Sequence, residues 1–225
     1  MDYLEIEYSA DKRPKTEYPE KLARHLAAKY GFNRGDSILE VGSGRAEMLS
    51  HFTNLGLFTW AIDSAPSSAL YAQTAGAKFN LVAFENLGSF EVFGEHKFDI
   101  VFSKSFVEHI PNPIEFSQAC YNILKPGGLL VTLTPDWEAS HKIFFDDLTH
   151  IKPFSRVSMV QFLEYGNFEI VSVERFRQLP ITWNSSFFNA LAKLTSYFSR
   201  SRSSNKWERW SKELMLIGVG RKPAD

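Results

Sequence analysis

The chain of 225 residues is poor in cysteine and has no long uninterrupted apolar segment. Its single cysteine, Cys120, excludes an internal disulfide framework and a zinc site built from several cysteines. No apolar run approaches the roughly 18 residues of a membrane-spanning helix. The acidic start lacks the basic and apolar regions of a signal peptide. We therefore expect a water-soluble protein in a reducing compartment, and we predict a cytoplasmic location.

A large excess of charge of either sign is also missing, because 25 Lys/Arg and 26 Asp/Glu leave a net charge of −1. This balance argues against binding of nucleic acid over the whole surface, and we predict no nucleic-acid partner. The charge is nevertheless uneven, since residues 175–225 carry a net +7 and the remainder a net −8. We expect the basic section to be a solvated helix face; the alternative is that it attracts a membrane surface or a small-molecule substrate that is phosphate- or lipid-linked.

Short apolar runs alternate with amphipathic stretches, which is typical of a doubly wound α/β sheet. Runs bounded by Gly or Pro predict strands that are buried on both faces. The predicted strands are residues 37–41, 58–62, 79–84, 98–103, 129–134, 169–176 and 214–221. The predicted helices are residues 19–30, 45–54, 66–74, 113–124 and 155–165.

One stretch, residues 179–210, interrupts the alternation and predicts a helical insert before the last strand. Apolar residues recur there at helical spacing: Phe187, Leu191, Leu194 and Phe198. We expect this apolar face to pack on the sheet or to cover the site. The alternative is a peripheral membrane contact through residues 185–200, because an interfacial helix has the same pattern.

The most informative segment is a glycine turn, Gly42-Ser43-Gly44, which follows the first strand and opens a helix. The two glycines permit a sharp bend and leave room for a ligand against the backbone. Asp63 ends the next strand, where a carboxylate can accept hydrogen bonds from ribose hydroxyls. This unit fits a cofactor that carries adenosine.

Two adenosine cofactors compete for this turn. A nicotinamide dinucleotide needs a small residue three positions after Gly44, where this chain has Glu47. S-adenosylmethionine has no phosphate and has a cationic sulfonium and amino group, so Glu40 and Glu47 are compatible with it. A phosphate-binding P-loop is excluded because no Gly-Lys-Ser/Thr follows the turn. We therefore predict S-adenosyl-L-methionine as the cofactor, with Glu40 near its amino group.

Three segments in register resemble the class I S-adenosylmethionine-dependent methyltransferases. They are Leu39 to Gly44 with Asp63, Phe98-Asp99-Ile100-Val101-Phe102-Ser103 through Glu108-His109-Ile110-Pro111-Asn112-Pro113, and Leu124-Lys125-Pro126-Gly127-Gly128-Leu129. The resemblance implies an α/β fold with a doubly wound, Rossmann-like seven-stranded sheet. It also implies the strand order 3-2-1-4-5-7-6, with the last strand antiparallel.

The resemblance further implies a single methyltransferase domain over residues 1–225. Its parts would be an N-terminal helical lid segment (1–34), a cofactor-binding half (35–135) and a substrate-side half (136–225) that includes the insert. The predicted cofactor contacts are Glu40, Gly42, Ser43, Gly44, Asp63, Ser64, Glu85, Asn86 and Ser103. Ala46 stands where the family usually has a third glycine.

The predicted reaction site lies beyond the fourth and fifth strands. His109 and His150 follow these strands, and an imidazole can accept the proton of an alcohol near neutral pH, so we predict both as catalytic. The predicted substrate-binding residues are Trp137, Asp146 and Asp147. Methyltransferases of ubiquinone synthesis and RNA 3′-end methylation resemble this chain and suggest a metal at Glu-x-x-Glu-His. Ser105 replaces the first glutamate here, and we predict no metal.

Residues 134–154 resemble bacterial methyltransferases of surface-sugar and glycan pathways. The resemblance implies O-methylation of a sugar or a related small hydroxylated metabolite. An N-methyltransferase, a non-catalytic S-adenosylmethionine-binding module and a dehydrogenase are the alternatives. Amino-methylating DNA enzymes carry Asn/Asp-Pro-Pro-Tyr/Phe, whereas Asn112-Pro113 is followed here by Ile114.

Overall fold

A computed structural model describes Leu4, Pro14, residues 16–83, Asn86 and residues 90–224. Its strands are β1 (Ser37–Val41), β2 (Phe58–Asp63), β3 (Lys78–Leu81), β4 (Phe98–Lys104), β5 (Leu124–Pro135), β6 (Glu169–Phe176) and β7 (Met215–Arg221). Its α-helices are α1 (Tyr18–Tyr30), α2 (Glu47–Asn54), α3 (Ser68–Thr74), α4 (Pro113–Ile123), α5 (Trp137–Ser140), α6 (Arg156–Tyr165), α7 (Ser186–Ser196) and α8 (Lys206–Lys212). Short 3-10 turns cover Glu91–Phe93, Val107–His109, Phe144–Asp146 and Pro180–Thr182.

The seven strands form one sheet in the order β3-β2-β1-β4-β5-β7-β6. The first five strands are parallel, and β7 runs antiparallel to both β5 and β6. The predicted fold class and strand order are therefore confirmed. The order reverses between β1 and β4, and ligands of doubly wound sheets bind beyond the carboxyl ends of strands at such a switch point.

Successive side chains of the central strands point to opposite faces, and each face has its own apolar cluster. On one face, Phe102 of β4 packs with Phe52 of α2 and with Leu22 and Leu26 of α1. On the other face, Val101 belongs to a cluster with buried residues of α4 and α6. The sheet is therefore covered on both sides, which explains the continuous apolar runs of its strands.

Two strands differ from the sequence prediction by more than one residue at an end. β5 begins at Leu124 rather than at residue 129, because Leu124 pairs with Phe98 across a register shift. β3 covers only Lys78–Leu81, and it lies at the edge of the sheet, where it pairs with β2 alone. Residues 84 and 85, the end of the predicted third strand and the residue after it, lie outside the described residues.

Part of the predicted lid segment, residues 1–34, also lies outside the described residues. Helix α1 within that segment is integral to the core, because Leu22, Ala23 and Leu26 are fully buried. The domain division remains a prediction. Within residues 16–83 and 90–224, every helix is too short or too polar to traverse a bilayer.

The insert contains two helices, α7 and α8. The prediction that its apolar face packs on the sheet or covers the site is wrong. The apolar residues Phe187, Leu191, Leu194 and Phe198 are all exposed. The opposite face, which includes the buried Ala192, packs against α8 and the turn at Pro180–Thr182. Trp207 Nε1 donates a hydrogen bond to Thr195 Oγ1 at 3.1 Å and helps to fix this arrangement. Helices α7 and α8 therefore pack against each other as a helical hairpin, and the apolar residues of α7 face solvent.

Candidate active site

The glycine turn between β1 and α2 has the tight backbone that the sequence predicts. Gly42, Gly44 and Ala46 have φ angles of 71°, 49° and 54°, all in the left-handed region. A Cβ atom added at Gly42 would lie 2.7 Å from the ring of Phe106. A larger residue at position 42 would therefore collide with the turn that follows β4. Ala46 adopts the conformation for which glycine is better suited, which explains why a third glycine is usual there.

Asp63 fixes the turn to the end of β2. Its carboxylate is almost completely buried and accepts hydrogen bonds from the backbone N–H groups of Gly44 and Ala65, both at 2.8 Å. The N–H group of Gly42 donates to the carbonyl oxygen of Ile62 at 3.0 Å. Asp63 thus positions the predicted ribose site, and its direct contact with a ribose remains a prediction. Ser64 follows it and is half-buried.

Glu40 lies at the base of the turn as a buried carboxylate. Its Oε2 atom has no hydrogen-bond partner among the described residues, and the same is true of the buried Ser43 hydroxyl. Burial raises the pKa of Glu40 well above its ordinary value, although the charge of Lys104 opposes this rise. A cationic ligand group would supply the missing partner of this carboxylate. This buried carboxylate therefore fits the cationic amino end of S-adenosylmethionine and is poorly suited to a phosphate.

The remaining predicted cofactor residues are less informative. Ser103 is fully buried, and its hydroxyl lies 3.1 Å from the hydroxyl of Thr132, which gives it an internal partner. Asn86 is exposed, and Glu85 lies outside the described residues. The cofactor contacts of these three residues remain predictions.

The two predicted catalytic histidines meet in space, with ring centroids 4.8 Å apart. Nδ1 of His150 lies 2.6 Å from the carbonyl oxygen of Phe144, and Nδ1 of His109 lies 3.2 Å from that of Thr149. A carbonyl oxygen only accepts hydrogen bonds, so Nδ1 carries the proton in both neutral rings. The Nε2 atom of each ring is therefore the basic nitrogen.

Asp147 and Thr149 orient this pair. The hydroxyl of Thr149 donates to Asp147 Oδ1 at 2.6 Å and lies 2.9 Å from His109 Nδ1, where it accepts a hydrogen bond. His150 Nε2 lies 3.8 Å from Asp147 Oδ2. Burial and the nearby His150 lower the pKa of His109, which keeps its ring neutral near neutral pH. Partial burial acts to raise the pKa of Asp147, but the hydrogen bonds from Thr149 outweigh it and lower the pKa.

Glu108 is a buried acid directly beside this pair. Its Oε2 accepts a hydrogen bond from Thr134 Oγ1 at 2.9 Å, while its Oε1 has no partner among the described residues. Burial raises its pKa to about 7. Its carbonyl oxygen accepts from the N–H groups of Ile151 and Lys152, both at 2.9 Å, and so holds the loop that carries His150. Glu108 therefore joins the β4 turn to the β5 loop.

These three side chains could also hold a cation. Glu108, His109 and His150 each present one ligand atom, and these atoms lie within 4.8 Å of one another. Two imidazole nitrogens and one carboxylate suit a borderline divalent metal. The absence of a metal remains a prediction.

The predicted substrate-binding residues lie between β5 and α6, with Trp137 at the start of α5 and Asp146 and Asp147 in the following loop. Trp137 is half-buried and packs edge-to-face against Phe144, with ring centroids 5.6 Å apart. Asp146 is exposed, and both of its oxygens accept hydrogen bonds from Arg202 at 2.7 Å. Its carboxylate therefore joins the insert to the loop. Asp147 lies beside both histidines, and the substrate contacts of all three residues remain predictions.

Several residues that shape the site were not predicted from the sequence. Lys104 places a positive charge that acts on both Glu40 and Glu108. Phe106 lies against Gly42 and connects the glycine turn to His109, whose N–H group donates to the Phe106 carbonyl oxygen at 3.0 Å. The Glu108-His109 pair was a visible signal for Glu108, whereas nothing in the sequence marked Phe106.

Comparison with known proteins decides the family. A sequence model described as a methyltransferase domain matches residues 11–173. This chain belongs to that methyltransferase family. The predicted class I S-adenosylmethionine-dependent methyltransferase is thereby confirmed at the level of family and fold, and the glycine turn lies within the matched residues.

Ubiquinone biosynthesis O-methyltransferases are among the sequence relatives of this chain. The chain is 28% identical to that of Dinoroseobacter shibae over an alignment of 124 residues, and the alignment covers 50% of this chain and 49% of the relative. This methyltransferase chain thus spans about half the length of the curated relatives it matches.

Two solved structures share the fold. An S-adenosylmethionine-dependent methyltransferase from Archaeoglobus fulgidus has a TM-score of 0.68 at 19% identity, covering 98% of this chain and 99% of its own. The Burkholderia thailandensis 1,6-didemethyltoxoflavin-N1-methyltransferase, solved with S-adenosylhomocysteine, has a TM-score of 0.61 at 17% identity, covering 92% and 78%.

Proposed function

We propose that this chain transfers a methyl group from S-adenosyl-L-methionine to an oxygen atom of a small hydroxylated acceptor, a sugar or a related metabolite. The observation that carries the proposal is the pair of basic Nε2 atoms on His109 and His150, beside the turn that contacts Gly42. The orphaned Glu40 oxygen supports the choice of a cofactor with a cationic end. The sequence relatives, which are named as O-methyltransferases, support oxygen as the acceptor atom.

A base distinguishes oxygen from nitrogen as the acceptor atom. The lone pair of a neutral amine is reactive without prior loss of a proton, whereas an alcohol gains most of its reactivity as its proton leaves. When bound, the cofactor would supply a methyl group on a cationic sulfur. We propose that His150 Nε2 takes the proton that the hydroxyl releases. Asp147 lies 3.8 Å from that nitrogen and stabilises the resulting imidazolium.

The first experiment measures donor binding and acceptor choice. Calorimetry with S-adenosylmethionine and S-adenosylhomocysteine tests the donor site. A screen of glycosides, phenols and amines, read by mass spectrometry, identifies the methylated atom. We expect both nucleosides to bind and a hydroxyl to be methylated. Donor binding with methylation of amines alone would replace this proposal with an N-methyltransferase. Donor binding without turnover of any acceptor, or the absence of donor binding, would contradict enzymatic activity of this kind.

The second experiment tests the base. We expect His150→Gln to lower kcat by roughly 10²- to 10⁴-fold while the donor Kd stays unchanged, because proton removal is lost and the glycine turn is intact. His51→Gln on α2, outside the site, is the matched control and should turn over normally. The same assays with a chelator test for a metal. A wild-type pH profile and rate in His150→Gln would show that His150 is not the base.

A further inference from the structure

Helix α7 presents a continuous apolar stripe to solvent. The stripe consists of Phe187, Ala190, Leu191, Leu194, Tyr197 and Phe198. Their spacing of three and four residues places Phe187, Ala190, Leu191 and Leu194 on one helix face, and Tyr197 and Phe198 follow in the turn just after the helix. Phe187, Leu194 and Phe198 are 69%, 59% and 84% exposed. A soluble protein rarely exposes contiguous apolar surface of this kind unless the surface binds something.

The stripe is not needed to hold α7 in place, because the opposite side of the helix already packs against α8. Ala192 is completely buried there, and Ser199 just beyond the helix is buried as well. Lys212 Nζ donates to the Ser199 carbonyl oxygen at 2.7 Å, which ties the end of α7 to α8. These contacts fix the hairpin on the side opposite the stripe, so the stripe remains accessible to a binding partner.

The charge around the stripe identifies that partner. Residues 185–212 contain six Lys/Arg and one Glu. Lys193 lies on the polar side of α7 and Arg200 follows the end of the helix; both are exposed, and neither has an ion-pair partner within the part of the chain that the structure describes. An apolar helix face with an unpaired basic flank is the pattern of a helix that lies on an anionic lipid surface. A second copy would bring two such basic segments together, which disfavours a symmetric dimer through this face.

A direct link joins this hairpin to the candidate active site. Arg202 donates to both oxygens of Asp146 at 2.7 Å and to the carbonyl oxygen of Lys142 at 3.2 Å. The tethered loop carries His150, and it also exposes Phe145 and Leu148, the latter at 96%. The outward apolar residues of the loop therefore lie on the segment that Arg202 anchors to the insert.

We propose that the stripe and its basic flank dock this chain on an anionic membrane surface, with Phe145 and Leu148 at the same interface. The loop that carries His150 would then lie close to the bilayer surface. This inference concerns binding alone and does not depend on the methyl acceptor, so it stands or falls separately from the proposed function.

The test is co-sedimentation of the full chain with phospholipid vesicles, without donor or acceptor. We expect binding to vesicles of phosphatidylglycerol and phosphatidylcholine, weaker binding as salt is raised, and little binding to phosphatidylcholine alone. Phe187→Ser with Phe198→Ser should weaken binding at least tenfold. Lys193→Glu with Arg200→Glu should do the same, with circular dichroism confirming that both variants fold.

The matched control replaces two apolar residues that are equally exposed elsewhere. Leu70 on α3 and Val157 on α6 are each 67% exposed, and Leu70→Ser with Val157→Ser should leave vesicle binding unchanged. Failure of the parent chain to bind anionic vesicles would overturn the proposal, as would equal losses in the control and stripe variants. Analytical ultracentrifugation showing a dimer that the stripe variants lose would assign the face to a second copy instead.

Discussion

Replacing Glu108 with glutamine tests how the tertiary structure sets the acidity of the candidate site. The Glu108 side chain is completely buried, and burial raises its pKa from the ordinary 4.5 to about 7. Glutamine has nearly the same shape and can still accept the hydrogen bond from Thr134. The Glu108→Gln variant therefore removes the ionisation while keeping most of the packing.

The size of the effect follows from the pKa shift. Each unit of difference between the folded and unfolded pKa corresponds to about 1.4 kcal/mol, so a rise from 4.5 to about 7 corresponds to about 3 kcal/mol. Below about pH 4.5 the carboxyl is protonated in both states, and its ionisation costs nothing. As the pH rises to about 7, the unfolded chain releases the proton first, so the free energy of unfolding falls. That loss is absent in Glu108→Gln.

The assay is urea unfolding of both proteins between about pH 4.5 and about pH 8. We expect the difference in unfolding free energy, variant minus parent, to increase by about 3 kcal/mol across this range. The lowered pKa of His109 makes the opposite contribution, but it is present in both proteins and cancels to first order. Glu91→Gln, at an exposed position, is the matched control and should show no such increase. A pH-independent difference for Glu108→Gln would show that burial does not raise the pKa of Glu108.

Two further variants test the glycine turn. In Asp63→Asn, the amide N–H₂ group faces one of the two backbone N–H groups of Gly44 and Ala65, so one hydrogen bond is lost. We expect the free energy of unfolding in urea to fall by roughly 1.5–3 kcal/mol and donor binding in calorimetry to weaken. If neither quantity changes, Asp63 does not hold the turn. Gly42→Ala adds a Cβ atom 2.7 Å from Phe106 in left-handed backbone, so we expect a loss of about 2 kcal/mol that Phe106→Leu partly restores. A Gly42→Ala protein as stable as its parent would show that the contact relaxes freely.

The predictions that held depended on patterns that are local in the chain. The apolar run at Ser37–Val41 ends in a glycine turn and forms β1, and Ser155 begins α6 by accepting a hydrogen bond from the N–H group of Ser158 at 3.2 Å. Positions 42 and 44 are glycine because their backbone has a positive φ, which other residues adopt only at an energetic cost. Such features depend on neighbouring residues, so the sequence alone reveals them.

Local sequence patterns were sufficient to predict most of the strands and helices, the glycine turn and the amphipathic period of α7, because backbone geometry and side-chain periodicity act over a few residues. Only the tertiary structure brought His109 and His150 together, raised the pKa of Glu108 and turned the stripe of α7 toward solvent. Those outcomes depend on desolvation and on contacts between residues far apart in the chain. An amphipathic period shows that a helix has an apolar face, and long-range packing decides what that face meets.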